Sequence, residues 1–313
     1  MRMVCLYFLL LAMPSLAFSN EPIVPIVAPT GLNQAKVSLG ERLFFETQLS
    51  ADGNISCASC HDLELGGMDG LRFPIGVYGK VGDMNTPTVF NAALNFKQFW
   101  DGRADSLEAQ MDGPILRGRE MGNTWKQVVS FLRDDPVYHE LFQTIYNTAI
   151  TPEHVRDAMA EFERSLTLEG SRFDQYLQGK LQAISAEEKA GYKLFKSYGC
   201  VACHQGAGVG GNMFQKLGVM KAYFTQEKGI EPHDLGRFNV TQNPKDKFVF
   251  KVPSLRMVVL TAPYFHDGSV ATLFEAIKLM GRHQLGREIP DDDVKLIEVF
   301  LHTLPGLYQD KAW

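Results

Sequence analysis

Two short segments carry the residues best suited to chemistry, Cys57-Ala58-Ser59-Cys60-His61 and Cys200-Val201-Ala202-Cys203-His204. Cys-x-x-Cys-His is the attachment pattern of a c-type haem. Thiols one helical turn apart can form thioethers to two vinyl groups, and the next residue then offers an imidazole to the iron from the proximal side. A four-cysteine zinc site would leave both histidines unexplained, and two disulfides would ordinarily close larger loops. The fifth cysteine, Cys5, lies in an N-terminal stretch of signal-peptide type. There, Arg2 precedes an apolar run to Met13, and Ser15-Leu16-Ala17 and Ala17-Phe18-Ser19 both satisfy the small-x-small cleavage rule. Residues 1–19 are therefore read as a signal peptide cleaved after Ala17 or Ser19, too short to span a bilayer. The mature chain is expected to be periplasmic, without stable membrane insertion, and to commit all four remaining cysteines to two covalent haems.

The elements that position these motifs repeat. Gly40-Glu41-Arg42-Leu43-Phe44 precedes the first motif as Gly191-Tyr192-Lys193-Leu194-Phe195 precedes the second. Thr86-Pro87-Thr88-Val89 matches Val252-Pro253-Ser254-Leu255, Trp100-Asp101-Gly102 matches His266-Asp267-Gly268, and Met121-Gly122 matches Met280-Gly281. Thr151-Pro152-Glu153 reads as a helix start, and Ser185-Ala186-Glu187-Glu188 as a capping box. Strand signals are few. The expectation is a mainly α protein of two tandem cytochrome c-like domains, residues 20–172 and 173–313, each holding one haem.

Differences between the copies suggest distinct chemistry. A methionine thioether is a soft axial ligand that raises a haem's potential, so His204 and Met280 are read as the ligands of haem two; core packing is the competing role for Met280, since the chain has 12 methionines. In the first copy the matching segment is Arg119-Glu120-Met121-Gly122. A glutamate beside an open haem face, with His61 on the other, can move a proton between the oxygens of peroxide. A solvated Glu120, or Met121 as ligand of haem one, is the alternative at this point. Gly206-Ala207-Gly208-Val209-Gly210-Gly211 follows a haem motif and not a strand, so it reads as a loop against the haem. His139, His154, His233 and His283 lie in polar contexts and read as surface positions. A net charge of −5, from 31 Lys+Arg against 36 Asp+Glu, excludes a nucleic-acid binder driven by bulk charge.

The stretches Asn85-Thr86-Pro87-Thr88-Val89-Phe90-Asn91, Phe99-Trp100-Asp101-Gly102-Arg103-Ala104 and Leu260-Thr261-Ala262-Pro263-Tyr264-Phe265-His266-Asp267-Gly268 resemble the bacterial di-haem cytochrome c peroxidases, over about Leu39 to His302. The resemblance implies a low-potential peroxidatic haem one and a high-potential haem two that accepts electrons. It implies Gln110 and Glu120 in the peroxide pocket, Trp100 as an electron path between haems, and calcium held by Asn85 with the carbonyls of Thr261 and Pro263. It further implies hydrogen peroxide as substrate, a small cytochrome c or cupredoxin as donor, and a homodimer. His266 takes a structural or propionate-contact role.

One departure stands out. Family members place a capping histidine on the loop after the first motif, but here that loop reads Leu71-Arg72-Phe73-Pro74-Ile75-Gly76-Val77-Tyr78-Gly79, and no histidine lies between His61 and His139. The expectation is a distal side that is open or water-bound, with Tyr78, Met68 or Met84 as substitute ligands. MauG-like enzymes, which oxidise a partner protein, also lack that histidine, but they carry tyrosine where Met280 stands. A simple electron-carrying cytochrome is the third reading, with no need for Glu120.

Overall fold

The computed structural model describes residues 21–309, so the expected signal peptide lies outside the described residues. Among them, eleven helices follow one another: α1 (Gln34–Phe44), α2 (Leu107–Gln110), α3 (Asp112–Leu116), α4 (Trp125–Asp134), α5 (Pro136–Tyr146), α6 (Pro152–Ser165), α7 (Arg172–Leu177), α8 (Ala186–Tyr198), α9 (Phe238–Thr241), α10 (Leu273–Gln284) and α11 (Asp291–Leu301). One small sheet pairs β1 (Phe214–Lys216) antiparallel with β2 (Val249–Lys251). The protein is mainly helical, with long loops between helices. No helix among the described residues is long and apolar enough to cross a membrane.

The helix starts follow local chemistry. Thr151 caps α6, its hydroxyl accepting the His154 N–H at 3.3 Å, with Pro152 at the first position. Ser185 and Glu188 form the reciprocal capping box of α8. Each half is then built on one helix crossing. In the first, α1 packs on α6 with Gly40 against the Ala158 carbonyl; in the second, α8 packs on α11 with Gly191 against the Leu296 carbonyl. Leu39, Leu43, Val155 and Ala158 bury the first crossing, while Tyr192, Phe195, Ile297 and Phe300 bury the second.

The repeat is also visible in the backbone. Phe99 and Phe265 both adopt positive φ, at 68° and 69°, and Gly102 and Gly268 do so at 67° and 58°. Isolated bridges Gln98–Ala104 and Tyr264–Val270 close equivalent loops, and Ser106 and Thr272 cap the helices that follow. Across the seam the halves exchange equivalent bonds. Asn85 N–H donates to His266 O and Lys251 N–H donates to Trp100 O, each at 2.8 Å. Likewise Arg72 Nε donates to Asp267 O at 3.0 Å, and Arg237 Nη1 to Asp101 O at 3.3 Å.

Three expectations change. Residues 21–26 do not pack with the first half. Ile23 enters the core of the second half, Ile26 N–H donates to Asp174, and buried Arg256 bonds the Val24 carbonyl at 2.9 Å and Asp174 at 2.8 Å. Conversely, Leu307 N–H donates to Glu169 O, and Tyr308 packs edge-on against Phe90. An expected boundary in sequence order missed this exchange because it rests on a buried ion pair between distant residues. Met280, which in sequence reads as following a helix of pattern Leu273, Phe274, Ile277, lies inside α10, which continues to Gln284; its counterpart Met121 lies in a turn after α3. Finally, His283 is buried, its Nδ1 donating to Lys221 O at 2.9 Å, and His233 and His154 are half-buried.

A Cβ at Gly40 or Gly191 would overlap a backbone carbonyl that has no room to retreat. Gly40→Ala and Gly191→Ala are each expected to cost about 1–3 kcal/mol, seen as a lower denaturation midpoint.

Candidate functional site

Cys57 begins a tight turn, fixed by Ser59 Oγ accepting the Ser56 N–H at 3.0 Å, and His61 N–H closes it on Cys57 O at 2.9 Å. Cys57, Cys60 and His61 line a cavity of about 150 Å³. His61 Nδ1 lies 3.2 Å from the Gly67 carbonyl, which can only accept, so the ring donates from Nδ1 and leaves Nε2 free as a ligand. Burial lowers its pKa against the opposing pull of that carbonyl and of Asp69, which keeps the imidazole neutral. Burial also pushes both thiols up to about 12, helped for Cys57 by Glu163 and for Cys60 by Asp69 and Glu120.

Gln110, Glu120, Met121, Met84 and Trp100 line the same cavity. Glu120 is held there by Arg117, whose Nη1 donates to Glu120 Oε1 at 2.9 Å while Nη2 donates to both oxygens of Asp83 at 2.8 and 2.7 Å. The Glu120 carbonyl accepts the Val77 N–H at 2.8 Å, tying the 71–79 loop to the same turn. Gln110 Oε1 is buried with no hydrogen-bond partner.

The second cavity, about 430 Å³, is lined by Cys200, Cys203, His204 and Met280. His204 repeats the arrangement of His61, with Nδ1 3.3 Å from the Val209 carbonyl on the glycine loop; burial lowers its pKa to about 4. The glycine loop thus orients the His204 ring through the Val209 carbonyl, while none of residues 206–211 lines the second cavity. Trp100 lines both cavities, and its Nε1 donates to Asn85 O at 2.9 Å.

Comparison with known proteins gives this geometry a family. The family described as di-haem cytochrome c peroxidase matches residues 34–182. The chain is 46% identical to Cytochrome c peroxidase Ccp of Escherichia coli over 93% of its own length and 63% of that protein, so it spans less than two thirds of that relative. It is 45% identical to Cytochrome c551 peroxidase of Nitrosomonas europaea, over 92% of this chain and 85% of that one. A solved MauG-like protein associated with microbial copper homeostasis superposes with a TM-score of 0.80 at 28% identity, covering 91% of this chain and 94% of that one. The chain belongs to the di-haem cytochrome c peroxidase family.

The residues present suit the two haems of this family. Both cavities join a paired-thiol turn to an oriented, neutral imidazole. Each also holds polar groups that await a partner: the Gln110 oxygen in the first, and in the second Lys251, a buried lysine for which no anionic partner is found among the described residues. Burial brings Lys251 down to about 8, and a haem carboxylate would supply the missing anion. Buried Glu163 lines the first cavity with its pKa raised to about 8, mainly by desolvation and also by Glu108. Asn85, Thr261 and Pro263 all line the second cavity. Asn85 Nδ2 donates to Leu71 O at 2.9 Å.

Of the substitute distal ligands, Tyr78 is 67% exposed and points away from the peroxidase cavity, and Met68 is buried with its sulfur accepting the Gly70 N–H. Only Met84 of the three lines the cavity. Arg117, Asp83, Glu163 and Lys251 were not singled out from sequence. Arg117 is three residues from Glu120, a spacing that brings side chains together in a turn, and was the one signal at hand.

All four thiols face cavities, and none is disulfide-bonded. In denatured holoenzyme, none of the four is expected to react with an alkylating reagent, and peptides carrying each pair should retain one haem mass. An alkylated Cys57, Cys60, Cys200 or Cys203 would refute the double attachment.

Proposed function

We propose that the chain reduces hydrogen peroxide to two waters, taking two electrons from a small cytochrome c or cupredoxin in the periplasm. The observation that carries this reading is the Arg117-held Glu120 carboxylate beside the His61 cavity, with Met280 and Trp100 completing a second, different cavity next to it. When bound, the haems supply an iron that accepts peroxide at the first site and an electron relay at the second.

Protein side chains do the rest. Glu120 takes the proton from one peroxide oxygen and returns it to the other, so that the departing oxygen leaves as water; acid–base catalysis of this kind is worth roughly 10²–10⁴ in rate. Arg117 keeps that carboxylate aimed, with Asp83 fixing the guanidinium from the other side. Gln110 offers its amide to peroxide from the buried end of the cavity. Met280, on α10 and lining the same cavity as His204, gives the second site the thioether that suits electron entry. Trp100 is the aromatic bridge between sites, positioned by Asn85. Calcium at Asn85, Thr261 and Pro263 would stiffen the seam through which electrons pass.

The 71–79 loop supplies no imidazole, so the first site rests open or water-bound and needs no reductive activation. Met280 supports this reading over the partner-protein oxidation of MauG-like enzymes, and the Arg117–Glu120 pair supports an enzyme over a simple carrier.

Glu120→Gln is expected to lower peroxide kcat/KM by about 10²–10⁴ with the haem spectra intact, and Arg117→Ala to lower it less. Full turnover in Glu120→Gln would remove that residue from the mechanism. The oxidised wild type should show a high-spin EPR signal from one haem; two low-spin haems would overturn the open site.

A further inference from the structure

At the edge of the second cavity, the second half brings two imidazoles onto one carboxylate. His233 and Asp234 lie in the 3-10 turn Pro232–Leu235, and His266 lies on the seam loop. Asp234 Oδ1 is 2.7 Å from His266 Nε2 and 3.7 Å from His233 Nε2. The first distance is a hydrogen bond; the second is too long for one. His233 Nε2 therefore faces the carboxylate without bonding to it, and three potential ligand atoms lie within 4.8 Å of one another. Neither His233 nor Asp234 lines a haem cavity, although the ring of His266 forms part of the second cavity's wall.

We propose that His233, Asp234 and His266 form a binding site for one divalent transition-metal ion of the zinc type, distinct from both haem irons. Two imidazole nitrogens and one carboxylate oxygen are the ligand set zinc accepts, with water completing the shell. Calcium, which seeks six to eight oxygens, is a poor match. Zinc bonds of about 2.0–2.1 Å set donor atoms roughly 3.3 Å apart in a tetrahedral shell, so closing the cluster takes only small side-chain movements. The ion replaces the proton now shared between His266 Nε2 and Asp234 Oδ1.

The surroundings are those of an outer shell. Asp234 Oδ2 accepts the Glu231 N–H at 2.8 Å, which fixes the carboxylate and leaves Oδ1 for the ion. Phe250 and Phe224 pack on the His266 ring at 4.5 and 5.7 Å, and Phe73 from the other half meets His233 at 6.0 Å. An ion held here would tie the 232–235 turn to the seam loop, whose His266 carbonyl accepts the Asn85 N–H.

The test is zinc chloride titrated calorimetrically into holoenzyme previously freed of loosely held metal and saturated with calcium, with bound zinc counted by elemental analysis. One zinc per chain is expected. His233→Ala and Asp234→Asn should each weaken binding at least about 10-fold, the loss typical of disturbing a metal shell, while leaving the haem spectra unchanged. The His233 side chain is 16% exposed and belongs to none of the apolar core clusters; His233→Gln, closer in size, serves as the second variant should the alanine variant fail to fold. Absence of stoichiometric zinc in the wild type, or equal affinity in the His233 variants, would overturn the site.

Discussion

Two backbone hydrogen bonds across the seam govern the molecule. Asn85 N–H reaches the His266 carbonyl and Lys251 N–H reaches the Trp100 carbonyl, each half holding the other's loop by the same contact. A buried amide left unpaired would cost much of its desolvation energy, so the halves meet in one register. That register sets Trp100 against both cavities at once. The spatial relation between the two redox sites is thus fixed by main chain, which leaves side chains free to diverge.

Divergence happens at one place. After the equivalent caps Ser106 and Thr272, the second half continues into the twelve-residue α10, while the first half breaks into α2, α3 and a turn. A continuous helix presents Met280 to its cavity as a rigid thioether. A turn instead presents Glu120, with Arg117 close enough to clamp it. One repeated layout thus places a thioether at one cavity and a clamped carboxylate at the other.

Much of this was legible in the sequence, because covalent attachment and helix caps are local. The Cys-x-x-Cys-His spacing, the Thr151 and Ser185 helix starts and the repeat needed only neighbouring residues. The seam positions of Trp100 and Asn85 were carried by motif resemblance, since nothing local marks a tryptophan as shared between two cavities. What escaped notice depends on residues far apart in the chain. The Arg256–Asp174 pair, the Asp83–Arg117 bond and the convergence of His233 with His266 are tertiary facts, and burial of His283 is set by the Lys221 carbonyl rather than by its polar neighbours.

The crossing of the chain ends bears on how the protein is made. Residues 21–26 are synthesised before the segments that receive them, Asp174 and Arg256. Until then the leading segment has no berth and the first half stands without the Leu307–Tyr308 clasp that closes over Glu169 and Phe90. Each half is therefore completed by a segment from the other, with Leu307 and Tyr308 acting as a latch on the first half. A chain interrupted between the halves would lose both belts together, which makes the molecule a single unit of assembly in spite of its tandem descent.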